Sequence, residues 1–141
     1  MHLAIRCGGR PGPHAHDDQL GFELAIDGDD WVVDPGSYVL DAAPAWRDAY
    51  RAASAHAAPR FDGAAPARCL VFEPARFVGE RRRVGERLRR TFLIEAETLS
   101  IVVDDDTPRH RLVGRAAVLE HFAPAVPYSP GYGRRLRGSR R

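Results

Sequence analysis

Apolar positions along the chain fall in short runs of period two, the spacing of a strand with one buried face. The clearest run is Leu20, Phe22, Leu24 and Ile26, alternating with Gly21, Glu23, Ala25 and Asp27. Asp27-Gly28 then marks a turn. Trp31-Val32-Val33 returns from it until Asp34-Pro35-Gly36 stops the strand. The pair predicts a hairpin. A short strand over 2–7 precedes it, across a loop that Gly8, Gly9, Pro11, Gly12 and Pro13 keep out of regular structure.

Further along, the pattern predicts a strand over 71–78, a second hairpin over 87–95 and 98–104, and a long strand over 109–122. Residues 41–55 suit a short helix around Trp46 to Tyr50 and an Ala-rich loop equally well. Residues 57–67 read as an Ala/Pro connector. Roughly seven or eight strands, short turns and little helix predict an all-β fold. An antiparallel β-sandwich, of supersandwich or jelly-roll-like form, is the natural architecture.

Composition narrows this only slightly. The 141 residues suit one domain, expected over 1–133, with a basic disordered tail over 134–141. No apolar run approaches the roughly 18–20 residues of a membrane span, and the first residues lack the pattern of a secretory signal. The immediate start in a strand suggests a piece of a longer chain. The net charge is +2, which gives no reason to expect a nucleic-acid partner. Every basic residue is Arg, and Lys and Asn are absent. G/C-rich codon usage explains that; so does the fit of the guanidinium fork to carboxylates and sulfates. Cys7 and Cys69 could pair or stay free. Glu80 to Arg83 and Glu86 to Arg90 interleave opposite charges and read as a solvated turn and strand edge. Asp104-Asp105-Asp106 reads as a solvated turn with too few ligands for calcium.

The candidate chemistry lies in His14-Ala15-His16-Asp17-Asp18, with Asp34 and His56 further on. Two imidazoles and a carboxylate are a common set for an open metal site. Scattered His and Asp are also ordinary surface residues, and a lone H-x-H is a weak signal. Hairpin geometry places His16 and Asp34 at one edge, and His56 joins them if its loop folds back. Asp17 or Asp18 suits the role of acceptor from a ligand imidazole. His14 then stands beside the site. Trp31, Trp46, Phe22 and Phe92 read as core or cleft lining, and Trp46 and Arg47 also suit sugar contact.

These segments together resemble a known family. His14-Ala15-His16-Asp17-Asp18-Gln19-Leu20-Gly21-Phe22-Glu23-Leu24, Trp31-Val32-Val33-Asp34-Pro35-Gly36-Ser37-Tyr38 and Trp46-Arg47-Asp48-Ala49-Tyr50-Arg51 with Ala55-His56 carry the likeness. They closely resemble, in order and spacing, the C-terminal β-sheet domain of heparinase II/III-type polysaccharide lyases. The resemblance implies an N-terminal α-helical toroid as partner domain, absent from this chain. It implies cleavage of uronate-containing polysaccharides by β-elimination, and an acidic polysaccharide as the bound partner. It also implies a structural Zn2+ held by His16, Asp34 and His56, with His14 facing the substrate.

Tyr38 and Tyr50 are the candidates for a cleft tyrosine, Tyr38 preferred, and Trp46 and Arg47 for substrate contact. The isolated domain is expected to be inactive without its toroid, and the family works in the periplasm, the cell envelope or outside the cell. Two departures stand out: Ala57-Ala58 replaces Asn-Thr after the third ligand, and residue 17 is Asp where a small residue is common. The competing reading is a non-catalytic, zinc-stabilised carbohydrate-binding module. A cupin-like metal site fits less well, because a cupin usually carries a Glu a few residues after H-x-H and a final His much further along, whereas Asp34-Pro35-Gly36 fits the lyase pattern.

Overall fold

The computed structural model describes residues 1–9, 12, 14–61, 65–95, 100–106, 109–113, 126–129 and 133–134. Two antiparallel sheets make the body of the fold. The smaller orders β1 (His2–Ile5), β2 (Phe22–Ile26) and β3 (Asp29–Val32). The larger is a five-stranded meander of β4 (Arg68–Glu73), β5 (Arg76–Arg83), β6 (Glu86–Glu95), β7 (Ser100–Asp106) and β8 (Arg109–Val113). One helix, α1 (Pro44–Arg51), and a 3-10 turn at Ala53–Ala55 lie between β3 and β4.

The expected hairpin forms as β2–β3. Phe22, Leu24 and Ile26 turn inward while Glu23 and Ala25 turn away. Asp27 and Gly28 both take positive φ, 54° and 84°, which matches the mirror-image turn that suits twisted strands. Within residues 41–55 the helix forms over Pro44–Arg51: Pro44 enters at the first turn, where a missing N–H costs nothing.

Three expectations are corrected in the larger sheet. The strand expected over 71–78 is two strands, β4 and β5, because Pro74 lacks an N–H for the ladder and Pro74-Ala75 makes the turn. The charged run from Glu80 to Arg90 is solvated only in its middle, over 82–87, whereas Glu80, Arg81 and Arg90 are buried. It forms β5 and β6 around a Val84-Gly85 turn, with Gly85 at φ +79°. Asp104 to Asp106 lies within β7, with Asp105 fully buried. The strand expected over 109–122 is described to Val113, as β8. Its remainder, residues 96–99 and the tail over 135–141 lie outside the described residues.

The two sheets share one core. Leu20, Phe22, Leu24, Ile26 and Val32 from the smaller side pack with Phe77, Leu88, Phe92, Ile101 and Val103 of the larger. That is the expected sandwich, and the Phe22 and Phe92 rings meet edge-on across it at 5.1 Å. Gly79 lets β5 pass close to Leu20, because a Cβ there would collide with the Leu20 side chain. A second, smaller cluster joins Tyr50 and Ala55 to Val126, with Tyr38 and Ala49 against it.

Candidate functional site

Three segments converge at the edge of the smaller sheet. The loop that carries His16 is tied down at each end. Just past β1, Arg6 N–H donates to Gly21 O at 2.9 Å, and Leu20 N–H donates to Arg6 O at 2.8 Å. Gly21 is needed here, since a Cβ would lie 2.7 Å from Asp18 O. The Gln19 amide bridges the sheets: its Oε1 accepts from Gly8 N–H (3.1 Å) and Ala67 N–H (2.8 Å), and its Nε2 donates to Gly8 O. From the helix side, Arg51 Nε donates to Ala15 O, and Arg51 O accepts from Asp17 N–H.

Asp34 sits in a tight turn in which Gly36 N–H donates to Asp34 Oδ1 at 2.7 Å. Gly36 has φ +79°, and a Cβ there would lie 2.6 Å from Ser129 O. The close approach is used, because Ser129 N–H donates to Pro35 O at 2.8 Å. His56 follows the 3-10 turn and is buried.

The side chains form a chain of hydrogen bonds. Asp34 Oδ2 meets His56 Nδ1 at 2.7 Å, His56 Nε2 meets His16 Nδ1 at 3.1 Å, and His16 Nε2 meets Ser37 Oγ at 3.0 Å. His56 Nε2 also lies 2.9 Å from Tyr50 O. A carboxylate and a carbonyl only accept, so both nitrogens of His56 are placed to donate. Burial alone would lower the His56 pKa, but the hydrogen bond and charge of Asp34 outweigh it and hold it raised. Burial likewise works to raise the Asp34 carboxyl, and His56 with the Gly36 N–H overrides it downward. His16 is lowered, first by burial and then by the charge of His56. The consistent state is a protonated His56 between an ionised Asp34 and a neutral His16 that donates from Nε2 to Ser37.

The residue types suit zinc, and one spacing does too. Two nitrogens on a tetrahedral zinc stand about 3.3 Å apart, close to the 3.1 Å between His16 Nδ1 and His56 Nε2. Asp34, however, bonds the opposite nitrogen of His56. Two donors converge and the third orients a ring from behind, so this arrangement is not a closed three-ligand set. Among the described residues, no group of three or more His, Cys, Asp or Glu side chains is arranged to hold a metal ion.

A cleft of about 520 Å³ opens above this chain. His14, His16, Asp34, Ser37 and His56 all line it, with Arg6, Asp18 and Glu23 on its walls. Burial, then Asp34, pushes the Glu23 carboxyl up. His14 is exposed at its rim. The tyrosines lie elsewhere. Tyr50 is buried and its hydroxyl donates to Pro127 O, which corrects the expectation that it reaches the cleft. Tyr38 and Trp46 pack against Tyr50 at ring distances of 5.7 and 6.4 Å, and neither lines the cleft. Arg47 also lies off the cleft, and its guanidinium pairs with Asp48 and Asp41. The carboxylate that orients an imidazole is Asp34, not Asp17 or Asp18. Asp17 faces Arg81 at 3.2 Å instead.

The sequence reading missed Arg6, which the end of β1 carries into the cleft, and two buried arginines, Arg81 and Arg90. Arg81 bonds Asp17, the neighbour of His16, and the Ala65 carbonyl. Arg90 bonds the carbonyls of Leu20 and Ala57.

The family model described as Heparinase II/III-like, C-terminal matches residues 1–87 of the 141. The match contains all three converging segments. No curated protein and no solved structure matches the chain. No helix among the described residues is long and apolar enough to cross a membrane.

Proposed function

The chain belongs to the heparinase II/III-like C-terminal domain family, and on that premise we propose that its cleft forms one wall of a polysaccharide lyase site for uronate-containing polymers. One observation carries this reading. His14, His16, Asp34 and His56 come from three separate segments and line one open cleft. The partner is an acidic polysaccharide, and a helical toroid domain supplies the opposite wall. Such a polymer places the protein in the cell envelope or outside it.

β-Elimination removes the proton at C5 of a uronate, breaks the C4–O bond and leaves a C4–C5 double bond. The C5 proton is weakly acidic beside an ionised carboxylate, so neutralising that carboxylate lowers the barrier. Arg6 brings a permanent cation to this wall, and His14 a hydrogen-bonding ring at the rim. The base at C5 and the acid at the C4 oxygen belong to the toroid. The Asp34–His56–His16 chain fixes the floor and aims His16 Nε2–H at Ser37. His16, Asp34 and His56 would be the residues to hold a zinc ion, which would supply a structural clamp rather than an activated water.

The test uses the complete protein that contains this domain, with heparin, heparan sulfate and alginate. Ultraviolet absorbance of the unsaturated product is expected from at least one polymer, and His14→Ala should lower it by about 10-fold or more. Polymer binding with no unsaturated product from any of the three would replace the lyase reading with a carbohydrate-binding module. Metal analysis of the wild type and His16→Ala addresses the clamp separately, since equal zinc in both would remove it.

A further inference from the structure

The larger sheet reaches the histidine cluster through buried guanidiniums, and Arg90 is the one that serves both the His16 and the His56 segments. On β6, Leu88, Arg90 and Phe92 alternate onto the core face. On β7, Ile101, Val103 and Asp105 do the same, and the register sets Arg90 directly opposite Asp105. Both are 0% exposed. Arg90 Nε and Nη2 donate to the two Asp105 oxygens at 2.6 and 2.5 Å. Its Nη1 then donates twice more, to Leu20 O at 2.9 Å and Ala57 O at 2.7 Å. The rings of Phe22 and Phe92 flank the cation at 6.0 and 5.9 Å.

The two carbonyls matter for where they sit. Leu20 closes the loop that carries His16, and it holds φ at +63°, a left-handed conformation costly for a leucine. Such a conformation persists only when its surroundings over-determine it. Ala57 directly follows His56. One cation therefore orients the carbonyl of the residue directly after His56 and that of Leu20, four residues beyond His16, where the His16 loop ends. We infer that Arg90 is a positioning residue, and that its pair with Asp105 holds the His16 and His56 segments at the separation their facing nitrogens require. A buried ion pair contributes little net stability relative to apolar residues of the same volume. What distinguishes Arg90 is the pair of carbonyl bonds, which an apolar side chain cannot make. This assignment goes beyond the lyase reading and does not depend on the polymer.

The experiment follows the histidine rings rather than activity. Arg90→Met combined with Asp105→Leu removes both charges together, so no charge is left unpaired and the Leu20 and Ala57 carbonyls lose their shared donor. With metal removed by chelator, long-range proton–nitrogen spectra report the tautomer of each ring. The double variant is expected to unfold cooperatively, to lose the wild-type ring pattern of His16 and His56, and to keep that of His2. An unchanged His16 and His56 pattern in the folded double variant overturns the assignment. Wild-type protein gives a second readout that needs no variant to fold. The Arg90 guanidinium hydrogens should exchange slowly with solvent and show contacts to the Leu20 and Ala57 peptides. Fast exchange without those contacts also overturns it.

Discussion

The smaller and larger sheets bury their inner faces by different means. The smaller presents Phe22, Leu24, Ile26 and Val32, all apolar. The larger sets Arg81, Arg90 and Asp105 among its aromatic and aliphatic residues. The difference follows from what each sheet supports. A strand satisfies its own backbone through the ladder, whereas a loop pressed against a core turns carbonyls inward that need donors from elsewhere. Leu20, Ala57 and Ala65 are such loop residues, and arginines of the larger sheet bond their carbonyls. The guanidinium suits this task because its planar fork can serve a carboxylate and neighbouring carbonyls together. The side that carries the site is thus packed by apolar contact and held in register by ionic groups opposite.

The strongest way to break this comparison is Asp105→Ala. It leaves the Arg90 charge buried without its carboxylate, and a broken buried pair costs about 3–5 kcal/mol. Urea unfolding should show a lower midpoint, with the loss concentrated in the larger sheet and the two loops. The double substitution of Arg90 and Asp105 should cost clearly less than Asp105→Ala alone. If the single change costs under about 1 kcal/mol, the ionic half of the comparison fails.

A middle-sized effect sharpens the site side through pH. His56 has its folded pKa raised above the ordinary 6.5, so its contribution is full below that value and is lost as pH rises through the raised one. His16 is lowered, so its proton is bound more readily by the unfolded chain, and stability is lost as pH falls below 6.5. Asp34, lowered from 3.8, adds a further loss only in acid. Chelated protein should therefore be most stable near pH 6.5 in the neutral range, falling on both sides. Asp34→Asn removes what raises His56, so the alkaline decline should flatten while the decline below 6.5 stays. Thermal unfolding across pH 5–9 reads both arms, and an unchanged alkaline arm would detach His56 from Asp34.

The same contrast explains what could be read in advance. β2 was legible because its alternation is clean, and β3 because Asp27-Gly28 marks the turn and Asp34-Pro35-Gly36 the stop. The family likeness located His14, His16, Asp34 and His56, and the cleft brings all four together. Tyr50 was misplaced because its hydroxyl partner, the Pro127 carbonyl, lies far along the chain, and no local spacing reveals such a contact. Arg90 and Asp105 were missed for a different reason. A charge in a strand is normally read as an outward residue, and here the period itself pointed the other way. Leu88-x-Arg90-x-Phe92 and Ile101-x-Val103-x-Asp105 each hold one charge in an apolar series, of opposite sign. The signal becomes decisive only with the register that pairs them, and register depends on turns that lie partly outside either strand.

The smallest expected effect concerns the outer edge of the larger sheet. A five-stranded sheet facing a three-stranded one has inner surface to spare, and β4 lies at that margin. Phe72 pairs directly with Phe77 across β4 and β5, yet Phe72 is 85% exposed while Phe77 is 7% exposed. The ring of Phe72 thus shields its neighbour from the side without being enclosed itself. Phe72→Ser should lower stability only by what a cross-strand pair contributes, about 0.2–1 kcal/mol. It should leave the His16 and His56 ring spectra untouched, because β4 holds neither the Leu20 nor the Ala57 carbonyl. A loss comparable to that of Asp105→Ala would show that the margin is enclosed in solution, and that apolar contact rather than the buried ion pair dominates the larger sheet.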